Sequence, residues 1–141
     1  MKPVQLLAVC CLFLASETTL RAQATTPRPG TAERTAILDP VRAPLQRAIG
    51  QKVIFVVDHM KVDRDWAFVR ATPRTKDGGP INYDGTEFED DANEADEITV
   101  ALLKKKSGKW TLVEHAYFTT DVWWESLWEY HENCPKSIFM E

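Results

Sequence analysis

The stretch Lys52 to Val62 reads KVIFVVDHMKV and is apolar on both sides. A β-strand sends successive side chains to opposite faces of its sheet. Val53, Phe55 and Val57 are expected on one face, and Ile54, Val56 and Met60 on the other. A sheet with one face in water shows apolar residues only at every second position. This strand breaks that alternation, so any fold that contains it must shelter both faces of its sheet.

Three further segments share the β-branched and aromatic character of strands: Trp66 to Thr72 (WAFVRAT), Ile98 to Lys106 (ITVALLKKK) and Trp110 to Phe118 (WTLVEHAYF). Asp63-Arg64-Asp65 and Ser107-Gly108 are tight connections, which predicts two hairpins. Asp77-Gly78-Gly79-Pro80 marks a loop after the first of them.

Helices are expected before and after the strands. Thr31 suits an N-cap, because its hydroxyl accepts an amide hydrogen of the first turn that has no partner within the helix. Helix is expected from Thr31 to Leu38. Pro40 disfavours helical geometry at Asp39, which predicts a break there. A second helix would start with Asp39 as cap and Pro40 at its first position, run to Ile49 and stop at Gly50. Ile37, Leu38, Val41, Leu45 and Ile49 form its apolar stripe. Near the other end, Asp121 to His131 (DVWWESLWEYH) reads as an amphipathic helix with Trp124, Leu127, Trp128 and His131 on one side.

This order predicts an α+β domain. A helix or broken helix packs on a four-stranded antiparallel sheet, followed by a Trp-rich C-terminal helix. The N-terminal helices cover one face of the sheet. The tryptophan-bearing segment, or a second subunit, covers the other.

The beginning of the chain reads as an export signal. Met1 and Lys2 form a positive start, Leu6 to Ala15 (LLAVCCLFLA) is an apolar core, and Ala22-Gln23-Ala24 offers small residues at cleavage positions. The apolar run is too short to span a bilayer, which takes about 20 residues. Cleavage is expected after Ala24, with Ala22 as the alternative. The expected organisation is a signal peptide over 1–24, a flexible proline-rich leader over 25–30 and a single domain over 31–141, secreted or periplasmic and with no stable membrane span after cleavage.

Composition narrows the function classes. Cys10 and Cys11 leave with the signal, so Cys134 has no internal disulfide partner. It is expected to be a buried or incidental thiol, or one that pairs with a second copy. The chain holds 17 basic and 21 acidic residues, a net charge of −4, and loss of Lys2, Arg21 and Glu17 makes it one unit more negative. A chain of that charge with one short basic cluster, Lys104-Lys105-Lys106, argues against nucleic-acid binding.

Several short segments together resemble a group of small, uncharacterised exported bacterial proteins. They are Arg34 to Asp39 (RTAILD), Val53 to Val57 (VIFVV), Trp66-Ala67-Phe68, Val100 to Leu103 (VALL), Gly108-Lys109-Trp110 and Thr120-Asp121-Val122. The layout is also similar to cystatin-like and nuclear-transport-factor-2-like domains, which curl an antiparallel sheet around a helix. These resemblances imply architecture and carry no catalytic residues with them.

The candidate sites follow from chemistry. His59 and His115, with Tyr117 and Asp121 and the nearby Asp58 and Glu114, are the weak candidates for acid–base catalysis, since such work needs a donor and an acceptor converging on one atom. No spacing in the sequence enforces that convergence. Eight of the fourteen residues from Asp84 to Glu97 are acidic. Clustered carboxylates can take calcium, but the stretch lacks the ligand spacing of an EF-hand and reads better as a solvated loop or short helix. Neither a metal nor a cofactor is expected. Trp123 and Trp124 are adjacent and must point in different directions, so Trp123, Trp124, Trp128 and Tyr130 are the candidate partner-binding residues.

The leading expectation is therefore a non-enzymatic interaction domain for an unknown protein or for a second copy of itself. The alternative is a small-molecule enzyme or binder with a pocket between sheet and helix near His115 and Tyr117. A third reading is a hydrolase inhibitor that inserts the loop Asp77 to Pro80 into an enzyme cleft.

Overall fold

The structure, a computed structural model, describes residues 23–141. The expected export signal lies outside the described residues apart from Gln23 and Ala24. The elements are α1 (Ala32–Ile49), β1 (Ile54–Asp63), β2 (Trp66–Arg74), α2 (Glu89–Glu94), β3 (Thr99–Lys106), β4 (Lys109–Ala116), a 3-10 turn (Trp123–Ser126), α3 (Leu127–Tyr130) and a last 3-10 turn (Lys136–Ile138). The four strands form one antiparallel meander in the order β1-β2-β3-β4. This is the expected α+β architecture, with a helix on a four-stranded sheet and a short helix at the C-terminal end.

The helix begins and ends as its caps dictate. The Thr31 hydroxyl accepts from the Arg34 amide at 3.3 Å, and Gly50 closes the helix in the left-handed region at φ 68°. The expected break at Asp39 does not occur, for α1 runs continuously through Pro40 and Pro44. Each proline deletes one helical hydrogen bond. The stripe Ile37, Leu38, Val41, Leu45 and Ile49 is buried against the sheet along the whole length, so packing holds the helix across those gaps. Asp39 caps nothing and instead pairs with Arg42 one turn on, at 2.5 Å.

Both faces of the sheet are apolar, and they differ in size. Towards α1 the central strands present Ala67, Val69, Ala71, Ala101 and Leu103. Small side chains there let a helix lie close. On the reverse face stand Trp66, Phe68, Val100 and Leu102. Over β2 and β3 that face is covered by the C-terminal segment, which buries Trp124, Leu127, Cys134 and Ile138 against it, whereas Ile54 and Val56 of β1, expected to be sheltered, stay exposed because the segment does not reach them. The cover is thin, made of short turns rather than a long helix, and bulky sheet residues fill the space beneath.

Two irregularities adjust the pattern. In β1 the register slips between Val57 and His59, leaving Asp58 unpaired. A bulge of this kind adds one residue to a strand and reverses which residues face which side. Met60 therefore joins Phe55 and Val57 on the helix side instead of opposing them, and His59 turns to the lid. In β4 a second slip, opposite Leu102 and Leu103, sets Val113 out of register.

The C-terminal segment also departs from expectation. Asp121 and Val122 precede the helical part, and helical geometry covers only Trp123 to Tyr130, half of it 3-10. His131 is already extended. Isolated helices this short are not self-supporting in water, so burial of Trp124 and Leu127 fixes their conformation. At the other end, Thr25 pairs with Val62 through two backbone bonds of 2.8 Å, which pins the expected leader to the edge of β1.

Among the described residues, no helix is long and apolar enough to cross a membrane.

Candidate functional site

The lid is built outward from its buried side chains. Trp124 sinks onto the sheet and is 7% exposed. Trp123 stands edge-on to it, with ring centroids 6.2 Å apart and planes at 80°. The Trp123 indole donates to the Thr119 hydroxyl at 3.2 Å, which holds the ring at the surface. Trp123 is 38% exposed, Val122 57% and Tyr130 76%. Trp128 is partly buried, its indole donating to the Glu125 carbonyl at 3.0 Å and its ring lying 4.8 Å from the Lys136 ammonium. Of the four expected partner-binding residues, Trp123 and Tyr130 are thus open to solvent, Trp128 is partly covered, and Trp124 is spent on the core.

Charge surrounds these rings. Asp121, Glu125, Glu129 and Glu132 are all exposed. No lysine or arginine lies between Asp121 and Glu132. Exposed aromatic faces and carboxylates suit the same cationic groups, by cation–π contact and by ion pairing.

The catalytic candidates are scattered. His59 lies on β1 and His115 on β4, the two outer strands of the sheet. Strands are spaced about 4.8 Å apart, which sets these positions roughly 14 Å apart across the sheet. They also face opposite ways, His59 towards the lid and His115 towards the ring of Tyr117 at 5.2 Å. The imidazole of His59 is buried, and its Nε2 lies 2.7 Å from the Ile138 carbonyl oxygen. A carbonyl can only accept, so Nε2 carries the proton. The Tyr117 hydroxyl points inward and donates to the Val41 carbonyl at 2.9 Å. Burial pushes its pKa up to about 12. Asp121 is exposed, and its carbonyl accepts from the Thr119 hydroxyl at 3.0 Å.

A depression of about 340 Å³ does lie near His115 and Tyr117, between Phe88 and Asp91 of the acidic stretch and β4. Beneath it, Phe88, Phe118, Tyr83 and Tyr117 form an aromatic cluster with centroids 5.0 to 5.7 Å apart. Glu97 anchors this region, accepting from the Tyr83 hydroxyl and from Arg74, each at 2.7 Å. Burial, and then the carboxylate of Glu97, raise the pKa of Tyr83. The middle of the acidic stretch forms the short helix α2, which has no buried residue, with turns before it and a bend after it. Among the described residues, no group of three His, Cys, Asp or Glu side chains is placed to hold a metal ion.

A larger cleft of about 790 Å³ opens beside the β1–β2 turn, with Asp63, Arg64, Ser137 and Met140 in its lining. Asp63-Arg64-Asp65, in sequence a tight connection, does more here. Arg64 adopts φ 57°, a conformation that favours glycine. Asp63 is buried, and both its carboxylate oxygens already accept hydrogen bonds, from Arg64 Nε at 3.2 Å and from Ser137 at 2.8 Å. The carboxylate thus ties the C-terminal segment to the hairpin turn.

Cys134 is buried beneath the lid. Burial pushes its thiol up to about 11, which leaves it protonated and unreactive. In that position it is closed to a second copy.

No protein-family model matches the chain, and neither a curated protein nor a solved structure matches it.

Proposed function

We propose that the chain is an exported, non-enzymatic interaction domain that engages a partner protein through the outer surface of its C-terminal lid. The observation that carries this reading is the division of labour between adjacent residues. Trp124 seals the sheet, whereas Trp123, Val122 and Tyr130 are left in water on the same segment. Large apolar rings in water carry a free-energy cost that docking relieves, and aromatic residues are enriched among those that dominate binding energy. The carboxylates of Asp121, Glu125, Glu129 and Glu132 select a partner with basic and apolar side chains, and they make association fall with salt.

Site-specific photocrosslinking tests this. A benzophenone side chain at position 130, in the chain expressed in its native host, is expected to trap one protein partner, and the same group at Thr111 on the opposite edge strand is expected to trap none. Loss of the adduct on Trp123→Ala supports the reading. Adducts that form equally from both positions, or that persist unchanged in Trp123→Ala, contradict it.

A further inference from the structure

We infer that the free edge of β1 is a self-association surface, and that its partner is a second copy of this chain docked antiparallel about Phe55. β1 is the outermost strand on its side of the sheet. The bridge from Thr25 reaches it only at Val62. Towards the other end stand Ile54, Val56 and Asp58, with Lys52 two residues ahead of the strand, all exposed. Residues two apart share a face of a strand, so the three make one stripe, which Lys52 continues if the docked copy extends the strand to it. Ile54 and Val56 are 40% and 52% exposed, uncovered by the C-terminal segment. An outer strand with unpaired amides and carbonyls is a template for another strand; at its start the Val53 amide already donates to the Gln46 side chain at 2.8 Å, so the open edge begins at Ile54.

The order of the four side chains selects the partner. A positive charge stands at one end of the stripe, a negative charge at the other, and two β-branched apolar residues lie between. An antiparallel copy related by a two-fold axis through Phe55 places Lys52 opposite Asp58 of the second copy and Ile54 opposite its Val56. The symmetry repeats both pairs, as in an isologous contact. A parallel, in-register copy would instead set lysine beside lysine and aspartate beside aspartate, so the stripe disfavours the parallel pairing.

Lys52 and Asp58 have no ion-pair partner among the described residues. The arginines of the neighbouring strand are already engaged, Arg70 with Glu141 at 3.3 Å and Arg74 with Glu97 at 2.7 Å. The bulge at Asp58 ends the pairable stretch. From Ile54 to Asp58 it is roughly 13 Å long, or about 20 Å if Lys52 is drawn in. A contact of that length is smaller than a standard stable interface, so the dimer is weak and forms with rising concentration.

Sedimentation equilibrium from micromolar to millimolar concentration tests the register. The wild-type chain is expected to pass from monomer to dimer. Asp58→Lys and Lys52→Asp each create two like-charged pairs and are expected to weaken the dimer roughly tenfold or more. The double variant Lys52→Asp/Asp58→Lys restores opposite charges and is expected to return association close to wild type. All the altered side chains are exposed, and circular dichroism checks that each variant stays folded. A wild-type chain that remains monomeric at millimolar concentration overturns the proposal. So does a double variant that associates no better than the single ones. Concentration-dependent amide shifts on Val122 to Tyr130 instead of Lys52 to Asp58 also overturn it, by placing self-association on the lid.

Discussion

His59 donates from Nε2 to the carbonyl oxygen of Ile138, 79 residues further along the chain, in a buried bond of 2.7 Å. The bond joins an outer strand of the sheet to the last turn of the lid, and the Phe68 and Phe139 rings pack at a tilt nearby, with centroids 4.6 Å apart and planes at 41°. The bulge at Asp58 makes it possible, since without that extra residue His59 would face α1. A histidine that reads as a catalytic candidate is therefore a fastener.

His59→Ala leaves the Ile138 carbonyl buried without a donor. Losing a buried hydrogen bond in this way costs about 2–3 kcal/mol. Urea denaturation should show a lower midpoint that corresponds to this loss at unchanged m-value, with the C-terminal amides the first to gain hydrogen exchange.

Trp123 and Trp124 should respond very differently to truncation. Trp124→Ala empties a core position and is expected to cost about 3–5 kcal/mol. Trp123→Ala removes a half-exposed ring and one hydrogen bond, and is expected to cost about 1 kcal/mol. Thermal unfolding of the two variants side by side checks the asymmetry. Equal losses would mean that both rings are core.

The Cys134 thiol should be slow towards a disulfide reagent in the native chain and fast once the chain is unfolded, because burial raises its pKa to about 11 and the lid blocks access. Trp124→Ala is expected to speed the native reaction by loosening that cover. Fast modification of the wild-type chain would place Cys134 outside the lid.

Stability should fall in alkali. Burial raises Cys134 from its ordinary 9.0 to about 11 and Tyr117 from 10.0 to about 12. The unfolded chain gives up these protons first, so it binds fewer protons than the native state above about pH 9, and stability decreases as pH rises. Below that pH the contribution is fully present. Denaturation midpoints measured from pH 7 to pH 11 should be flat and then decline, and Cys134→Ala should delay the onset.

Much of the fold was legible because the binary pattern was strong. The two-faced run at Val53 to Val57 demanded a double cover; both covers exist over the central strands, but Ile54 and Val56 of the run itself stay exposed at the sheet edge. Thr31 and Gly50 marked the helix ends through chemistry that acts within one turn. The break at Pro40 was misjudged because local propensity lost to burial of Val41 and Leu45, a tertiary effect. The facing of Met60 was misjudged because one bulge inverts every later residue, and nothing in VVDHM announces it. The lid was foreseen as a long helix because Trp124, Leu127, Trp128 and His131 have helical spacing. That same spacing also fits a single turn followed by extended chain.

The site was legible only in part. Adjacent tryptophans cannot share one core layer, which correctly separated Trp123 from Trp124. Which of the two would be buried depends on where the segment lands on β2 and β3. The separation of His59 from His115 depends on strand order, which hairpin signals alone leave open. The self-complementary stripe from Lys52 to Asp58 is visible in the sequence once β1 is known to lie at an edge.

The most direct test of the account is a set of nuclear Overhauser contacts across the reverse face of the sheet. Cross-peaks are expected from the Ile138 methyls to the Phe68 ring and from the Trp124 indole to the Leu102 methyls, in a chain that is folded and monomeric at the concentration used. A folded chain in which Phe68 and Leu102 show contacts only within the sheet, with residues 121–138 giving sharp, solvent-exchanging signals, would contradict it.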